Sequence, residues 1–322
     1  MTEAHAGSIG EMTTGLCRAY RVFGLTVRSE IPLPELLPAP EGAEADVVIT
    51  LGRLPAIEGE IPENFAATDA GGVLNVAGAG RYLIRGGREI LVEPDPAGSE
   101  RHLRLYLLGS AFGAILHQRN LLPLHSNAME IAGHAVAFLG ASGAGKSTMA
   151  AWFHDRGYPV LADDVCVVTL GSDGAPLAHP GIPRLRLWRD ALEASGRDVE
   201  DHEHAFDDAD KYNVRTRTSD AGSPLPLAAI YLLDRPDSGA LELAITGLQG
   251  LDAIEALVAN TYRGAYLVEM GATQRHLLQC VELTGQVPVF RTARVWGTDA
   301  FAEQARLLEE HARSVISSRP EL

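Results

Sequence analysis

The segment AVAFLGASGAGKST, residues 135–148, is the part of this 322-residue chain that decides the fold. Its first five residues are apolar and typical of a buried strand. The next eight, residues 140–147, match the pattern G-x-x-x-x-G-K-[ST], and the residues that follow can form a helix. A strand, a glycine-rich loop and a helix in this order are the context that a phosphate-binding loop requires. The segment therefore predicts a nucleotide site.

Each residue type in this loop has a physical role. The glycines allow backbone angles closed to other residues and let the chain approach phosphates closely. Lys146 is expected to neutralise the β- and γ-phosphates, and the Ser147 hydroxyl to ligate Mg²⁺. The predicted nucleotide-binding residues are Gly140, Ser142, Gly143, Ala144, Gly145, Lys146, Ser147 and Thr148. The predicted cofactors are ATP, or another nucleoside triphosphate, and Mg²⁺; the alternative is a glycine-rich turn that binds nothing.

Two adjacent carboxylates follow the next apolar segment. YPVLA, residues 158–162, reads as a strand and is followed by Asp163 and Asp164. An acidic residue at the end of such a strand is the usual second metal anchor near a phosphate loop. Neighbours on a straight strand point to opposite faces, so either the two have different roles or the strand bends there. One could hold Mg²⁺ while the other accepts a proton from a hydroxyl; a solvated or capping turn is the alternative.

A histidine precedes the strands that lead to the loop. His125 lies in LLPLHSN, residues 121–127. A histidine at this point could hydrogen-bond one of the aspartates and tune its basicity. On the residues alone, a structural histidine is the competing interpretation.

Together, His125, residues 140–147 and LADD at 161–164 resemble the catalytic core of HPr kinase/phosphorylase, a bacterial protein-serine kinase. That core is also similar to phosphoenolpyruvate carboxykinase in its nucleotide site. The resemblance covers roughly residues 120–295. It implies that Asp163 is the general base toward a serine hydroxyl, with His125 beside it. It also implies that Asp164 and Ser147 serve the metal. Because phosphoryl transfer needs charge neutralisation, Lys146 is a predicted catalytic residue together with Asp163 and His125.

The N-terminal half differs from that of true HPr kinases. YRVFGLTVRSEIPLPE at 20–35 and GIPRLRLW at 181–188 look more like HPr kinase-related proteins of ribosomal-peptide pathways. These include lasso-peptide kinases, which phosphorylate a C-terminal serine of a precursor. The implied function is an ATP- and Mg²⁺-dependent kinase that acts on a serine of a peptide or protein. A small-molecule hydroxyl kinase, or a nucleotide-sensing ATPase without an acceptor, is left open.

Three further basic residues are candidates for substrate or phosphate contacts. Arg184 and Arg186 alternate on an expected strand and so share a face. They could bind phosphates or an acidic peptide, or they could belong to a solvated strand face. Lys211 follows a polar stretch and could close over the triphosphate as a lid residue; the alternative is an exposed lysine.

Composition and patterning bound the rest of the chain. The formal net charge of −15 disfavours nucleic acid as a partner, and three dispersed cysteines fit a reducing cytosol. No apolar run approaches the roughly 20 residues that span a membrane, so we expect a cytoplasmic location. The expected organisation is a disordered start (1–15), a β-rich N-terminal domain (16–100) and a P-loop kinase domain of α/β or α+β class (101–322). A homo-oligomer is left open.

Overall fold

The computed structural model describes residues 17–56, 64–171, 174–194, 197–204, 210–216, 222–234, 242–295 and 297–319. The expected disordered start at residues 1–15 lies outside the described residues.

The strands are β1 (Arg18–Val22), β2 (Leu25–Ser29), β3 (Leu37–Pro38), β4 (Val47–Leu51), β5 (Asn64–Thr68), β6 (Gly71–Val76), β7 (Gly80–Arg85), β8 (Glu89–Pro94), β9 (Leu122–Leu124), β10 (Ser126–Ile131), β11 (His134–Leu139), β12 (Val160–Ala162), β13 (Cys166–Leu170), β14 (Pro176–His179), β15 (Arg184–Trp188), β16 (Glu203–His204), β17 (Lys211–Arg215), β18 (Leu225–Leu233), β19 (Ala244–Leu248) and β20 (Val289–Ala293). The helices are α1 (Glu100–Tyr106), α2 (Phe112–Gln118), α3 (Lys146–Asp155), α4 (Arg189–Ala194), α5 (Gly250–Ala259), α6 (Tyr266–Glu269), α7 (Thr273–Thr284) and α8 (Thr298–Ser317), with a π-helical stretch at Leu107–Ala111 and a 3₁₀ turn at Val199–Asp201.

The chain divides into two compact units. The first comprises Met1–Leu121 and Arg263–His276, and the second comprises Leu122–Tyr262 and Leu277–Leu322. The boundary expected from the sequence, after residue 100, falls at the first residue of α1, whereas the first unit includes both α1 and α2. Both helices bond to the first sheet: the Tyr82 hydroxyl donates to the Leu103 carbonyl at 2.9 Å, and Gln118 Nε2 donates to the Ile84 carbonyl at 3.2 Å.

The first unit is built on an eight-stranded sheet with the order β3-β1-β2-β4-β8-β7-β6-β5. Its opening hairpin, β1 to β2, turns at Phe23 and Gly24, which both have positive φ. Such two-residue turns match the twist of antiparallel strands. A bulky residue such as Phe23 is uncommon at a positive φ, and the Phe23 side chain is buried.

The second unit is organised around β11, whose residues after His134 are fully buried. β11 pairs antiparallel with β10 and parallel with β18, and β18 in turn pairs parallel with β20. The nine-stranded sheet runs β12-β10-β11-β18-β14-β13-β9. In addition, β20 pairs with β18, and β19 pairs with β20. A separate three-stranded sheet has the order β15-β17-β16.

Side chains of β11 alternate between two cores, as the period of two along a strand requires. Val136 and Phe138 join a cluster with residues of α3, α8 and β15. Ala135, Ala137 and Leu139 join a second cluster with residues of α5, β13 and the end of α7. Because both faces are covered, the strand carries no polar side chain after His134.

Strand direction brings several segments to one end of the sheet, the carboxyl end of β11. β11 leads into the glycine-rich loop there, and β10, which is antiparallel, begins opposite it with Ser126 paired to Leu139. β12 is antiparallel to β10 and therefore runs in the direction of β11, so that it also ends there. His125, the loop and Asp163 are consequently neighbours in space although up to 38 positions apart in sequence.

The predicted class, a mixture of strands and helices with several sheets, is confirmed. The sequence pattern of strand, loop and helix also corresponds to observed elements, β11 and α3 on either side of residues 140–145. In the part of the chain that the structure describes, no helix has the length and apolar character needed to cross a lipid bilayer.

Candidate active site

The glycine-rich loop adopts a conformation that depends on its glycines. Gly140, Gly143 and Gly145 have φ angles of 146°, 81° and 85°. At Gly140 there is also no room for a side chain, because a Cβ atom would lie 2.8 Å from the Leu233 carbonyl oxygen. Gly145, the N-cap residue of α3, has the left-handed conformation. The amides of the following residues form the helix N-terminus, which favours anions.

Lys146, the first residue of α3, is 8% exposed. Its Nζ donates to the carbonyls of Gly140 at 2.6 Å and Ala141 at 3.3 Å. Burial lowers the pKa of Lys146 and the charge of Lys211 adds to this, while the carboxylates of Asp163 and Asp164 oppose it. The lysine thus lies within the loop that it is predicted to serve.

A second cation supports the end of the loop. Arg294, directly after β20, is buried and donates from Nη2 to the Ala144 carbonyl. Its guanidinium also lies 3.3 Å from where a Cβ of Gly145 would be. The loop backbone is therefore held by Arg294, a side chain that directly follows β20.

The strand β12 ends at Ala162, and the chain turns directly after it. Asp164 has φ of 72°, which is uncommon for a residue other than glycine. Because of this bend, Asp163 and Asp164 line the same cavity instead of facing opposite ways. Of the two options that the sequence left open, the structure has the bend.

Asp163 is held by two donors. Asn127 Nδ2 donates to its Oδ1 at 2.8 Å, and the backbone N–H of Arg186 donates to its Oδ2 at 2.7 Å. Burial raises the pKa of Asp163 to about 6, with the adjacent charge of Asp164 acting in the same direction. Lys211 and Arg186 limit this rise. The Asp163 carboxylate is thus fixed in orientation, and its pKa lies closer to neutral pH than that of an ordinary aspartate.

Asp164 has a different environment. Arg186 Nη1 donates to its Oδ2 at 3.1 Å, and His125 Nδ1 lies 3.4 Å from its Oδ1. Burial alone would raise the pKa of Asp164, but the surrounding cations, chiefly Arg186, outweigh burial and hold the pKa below its ordinary value. Two adjacent aspartates therefore have pKa values displaced in opposite directions, the pattern by which acid–base and electrostatic roles are separated.

His125 contacts Asp164 and not Asp163, which differs from the arrangement that the family resemblance implies. Its Nδ1 lies 3.0 Å from the Asp164 backbone carbonyl. A carbonyl only accepts, so the proton of the neutral ring is on Nδ1 and the lone pair is on Nε2. Burial lowers the pKa of His125, and the charge of Lys146 adds to this, although Asp164 acts against them. The imidazole is therefore neutral at neutral pH.

The cavity at this end of the sheet measures about 170 Å³. It brings together most of the predicted site, and its lining residues are His125, Asn127, Ala141, Ser142, Gly143, Gly145, Lys146, Ser147, Thr148, Asp163, Asp164, Trp188, Ala191 and Lys211. The predicted residues Gly140 and Ala144 are not among the lining residues. A single concave surface thus carries the glycine-rich loop and both carboxylates.

The other predicted basic residues have different positions. Lys211 lines the cavity but belongs to strand β17, where the sequence suggested a lid loop. Arg186 is buried on β15 against the two carboxylates and is not part of the lining. The charge of Arg184, on the same strand, helps to lower the pKa of Asp164. The sequence left open that both arginines lie on a solvated strand face. Arg186 is buried, so this alternative is wrong for Arg186.

Four lining residues were missed by the sequence analysis: Asn127, Ala141, Trp188 and Ala191. Asn127 is two positions after His125, and alternation along a strand was a signal that both would face the same way. Trp188 is 45% exposed at the end of β15, with Lys211 Nζ 5.6 Å from its ring centre. A tryptophan in an expected strand reads as core, so the sequence had no signal for its exposure.

The donor set fits Mg²⁺ bound together with phosphates. Among residues with described positions, no group of three or more His, Cys, Asp and Glu could hold a metal ion. Mg²⁺ is usually held by one or two carboxylates together with substrate phosphates. The Ser147 hydroxyl and the Asp164 carboxylate are oxygen donors on the wall of the same cavity.

No family model matches the chain, and no curated protein matches it. Among solved structures, the chain is similar to the HPr(Ser) kinase/phosphatase from Coxiella burnetii, with a TM-score of 0.33 and 12% sequence identity. The match covers 61% of this chain and 99% of that one. At this score and identity it establishes neither the family nor the reaction.

Proposed function

We propose that this protein is an ATP- and Mg²⁺-dependent kinase of the HPr kinase type that transfers the γ-phosphoryl group to a serine hydroxyl of a peptide or protein. The observation that carries the proposal is the shared cavity. One wall holds the glycine-rich loop with Lys146 and Ser147, and the other holds Asp163, whose pKa is raised to about 6. A site for an anion and a base next to it are the two parts that phosphoryl transfer to a hydroxyl needs.

The donor side is supported by local charge. The chain has a formal net charge of −15, yet the cations acting on the two carboxylates are Lys146, Arg184, Arg186 and Lys211. The lining has Lys146 and Lys211 against the two carboxylates, and the nearby charges of Arg184 and Arg186 make the local balance positive. A positive cavity in an acidic protein favours a polyanionic substrate, because field lines are concentrated in a cleft.

The acceptor side is supported by the fixed orientation of Asp163. Asn127 and the Arg186 amide hold both of its oxygens, so the carboxylate keeps its direction toward the cavity. A base is most effective when its pKa is near the working pH, and a pKa of about 6 is closer to that condition than an ordinary aspartate. In this proposal Asp163 takes the proton of the acceptor hydroxyl.

Asp164 has the complementary role. Its pKa is depressed, so its carboxylate stays ionised throughout the neutral range. With Ser147 it would hold Mg²⁺, which when bound neutralises phosphate charge. His125 contacts the backbone carbonyl and the carboxylate of Asp164 and so fixes the position of Asp164.

The choice of a serine in a peptide follows the sequence resemblance to HPr kinase-related proteins, including lasso-peptide kinases. An open cavity with Trp188 at its exposed side offers an aromatic surface for an acceptor chain. In that case the acceptor is a precursor peptide whose C-terminal serine reaches Asp163.

The test is to incubate the protein with Mg·ATP and serine-containing peptides, including peptides ending in serine. Product is measured as a mass gain of one phosphoryl group, and Mg·ATP binding is measured by calorimetry. Asp163→Asn should lower transfer by about 100-fold or more, while Mg·ATP still binds. Asp155→Asn is the control, because Asp155 lies at the end of α3, pairs with Arg197, and is absent from the cavity lining.

Other outcomes separate the alternatives. Phosphorylation of a small hydroxyl compound in place of every peptide would identify a small-molecule kinase. Binding of Mg·ATP without any phosphorylated product would indicate a nucleotide sensor or ATPase. No binding of a nucleoside triphosphate would reject the nucleotide site itself.

A further inference from the structure

Asn260, which follows α5, lies against the start of the glycine-rich loop. It is 9% exposed, and its Oδ1 accepts the backbone N–H of Gly140 at 3.0 Å. Its Nδ2 donates to the Ala256 carbonyl at 2.8 Å, which anchors the amide to α5. The two residues are 120 positions apart, so this contact exists only in the folded chain.

The contact acts on the part of the loop that holds Lys146. Both backbone groups of Gly140 are bonded: its N–H donates to Asn260, and its carbonyl accepts from Lys146 Nζ at 2.6 Å. Gly140 also has φ of 146° and lies close to the Leu233 carbonyl. Glycine reaches this conformation without strain but can adopt many others, so these contacts select it.

The same segment holds the other wall of the cavity. The backbone carbonyl of Asn260 accepts the N–H of His125 at 2.7 Å, and the Tyr262 N–H donates to the Pro123 carbonyl at 2.9 Å. His125 in turn contacts Asp164. One residue therefore bonds through its side chain to the phosphate loop and through its backbone to the histidine beside the carboxylates.

We infer that Asn260 is a positioning residue for nucleotide binding, and that its side chain holds the Gly140 peptide in the orientation that accepts triphosphate. The inference rests on the proposed function, since it names the residue that prepares that site. Without Oδ1 the buried Gly140 N–H loses its partner, and the backbone at Gly140 is no longer held on that side. A change in the Gly140 backbone angles then displaces the carbonyl to which Lys146 bonds and disorders the amides of the loop.

The experiment compares Asn260→Ala with Thr261→Val. Both changes remove a side-chain hydrogen bond to α5, because the Thr261 hydroxyl donates to the Leu257 carbonyl at 3.0 Å. Only Asn260 also contacts Gly140. Each protein is titrated with Mg·ATP by calorimetry, and amide hydrogen exchange of residues 135–148 is measured without nucleotide.

Asn260→Ala should weaken Mg·ATP binding by about 10-fold or more and speed exchange at the Gly140 amide. Thr261→Val should stay within about twofold of the wild type in both measurements. The His125 amide should remain protected in Asn260→Ala, because its acceptor is the backbone carbonyl of residue 260. The pH midpoint of activity set by Asp163 should also stay in place, because Asn260 bonds to the loop and not to that carboxylate.

Wild-type affinity and wild-type Gly140 exchange in Asn260→Ala would overturn the inference. Equal losses in Thr261→Val would do the same, since the effect would then belong to the end of α5. A wild type that binds no Mg·ATP would reject the proposed function, and the exchange comparison would still decide whether Asn260 holds the Gly140 peptide.

Discussion

Asn127 Nδ2 donates a hydrogen bond to Asp163 Oδ1 at 2.8 Å. Asn127 is buried on β10, and Asp163 follows β12, the neighbouring strand. A donor to a carboxylate favours its ionised form, and so opposes the rise in pKa that burial produces at Asp163. The pair thus fixes the orientation of the candidate base.

Asn127→Ala should move the acidic limb of the pH–rate profile upward. Removing the amide leaves the burial of Asp163 unchanged and withdraws one donor from its ionised form, so its pKa rises above about 6. The measurement is the pH dependence of kcat/KM, with an expected shift of about one pH unit. Ser126→Ala is the control, because the Ser126 hydroxyl bonds at 3.5 Å to the Leu124 carbonyl and not to Asp163. An unmoved limb in Asn127→Ala would remove Asp163 from the role of base.

Asp163 should make the folded protein less stable as the pH rises. Below its ordinary pKa of 3.8 both the folded and unfolded states carry the proton; between 3.8 and about 6 only the folded state does. Stability contributed by this group is therefore present at low pH and is lost as the pH rises to about 6. Asp163→Asn should remove this loss and raise the free energy of unfolding at pH 7 by on the order of 1–3 kcal/mol. Denaturant unfolding at pH 4 and pH 7 tests this, and a gap between variant and wild type that does not widen with pH would contradict it.

Arg186 and Asp164 should be strongly coupled. Arg186→Met removes the buried guanidinium that bonds to Asp164 Oδ2 at 3.1 Å. The expected loss of stability is about 1–3 kcal/mol, less than for a fully buried pair because the Asp164 side chain is 28% exposed. The double variant Arg186→Met/Asp164→Asn should lose less than the sum of the single variants, measured as unfolding free energies in a double-mutant cycle. Additive losses would show that the two side chains are independent. Arg184→Met, on the same strand, is the single-variant control for loss of a charge.

Two glycines of the loop should differ in their tolerance of alanine. Gly140→Ala places a Cβ 2.8 Å from the Leu233 carbonyl, whereas Gly143→Ala meets no atom within 4 Å. Both positions have positive φ, so both variants carry backbone strain of roughly 1–2 kcal/mol. Only Gly140→Ala adds a backbone clash, and it should lose about 10-fold more affinity for Mg·ATP than Gly143→Ala. Calorimetry and thermal unfolding of the two proteins check this; equal affinities would show that the loop relaxes around residue 140.

Local patterns were sufficient for the parts of the site that are continuous in sequence. The apolar run before Gly140, the loop glycines and the helix beginning at Lys146 are encoded within 21 residues, from Ala135 to Asp155. The end of a strand at Ala162 could likewise be read from the change to two aspartates. The position of Arg186 could not, because alternation predicts which side chains share a face and does not predict what covers that face.

The sequence by itself determined the strand, the glycine-rich loop, the paired carboxylates and the mixed α/β class, because each depends on backbone preference and periodicity over a short range. Only the tertiary structure decided that β10 lies between β11 and β12, and that His125 contacts Asp164 while Asn127 and the Arg186 amide hold Asp163. The same packing displaced the pKa values of the two aspartates in opposite directions. Adjacent identical residues have the same intrinsic chemistry, so the difference between them arises from burial and from charges that strand order brings near.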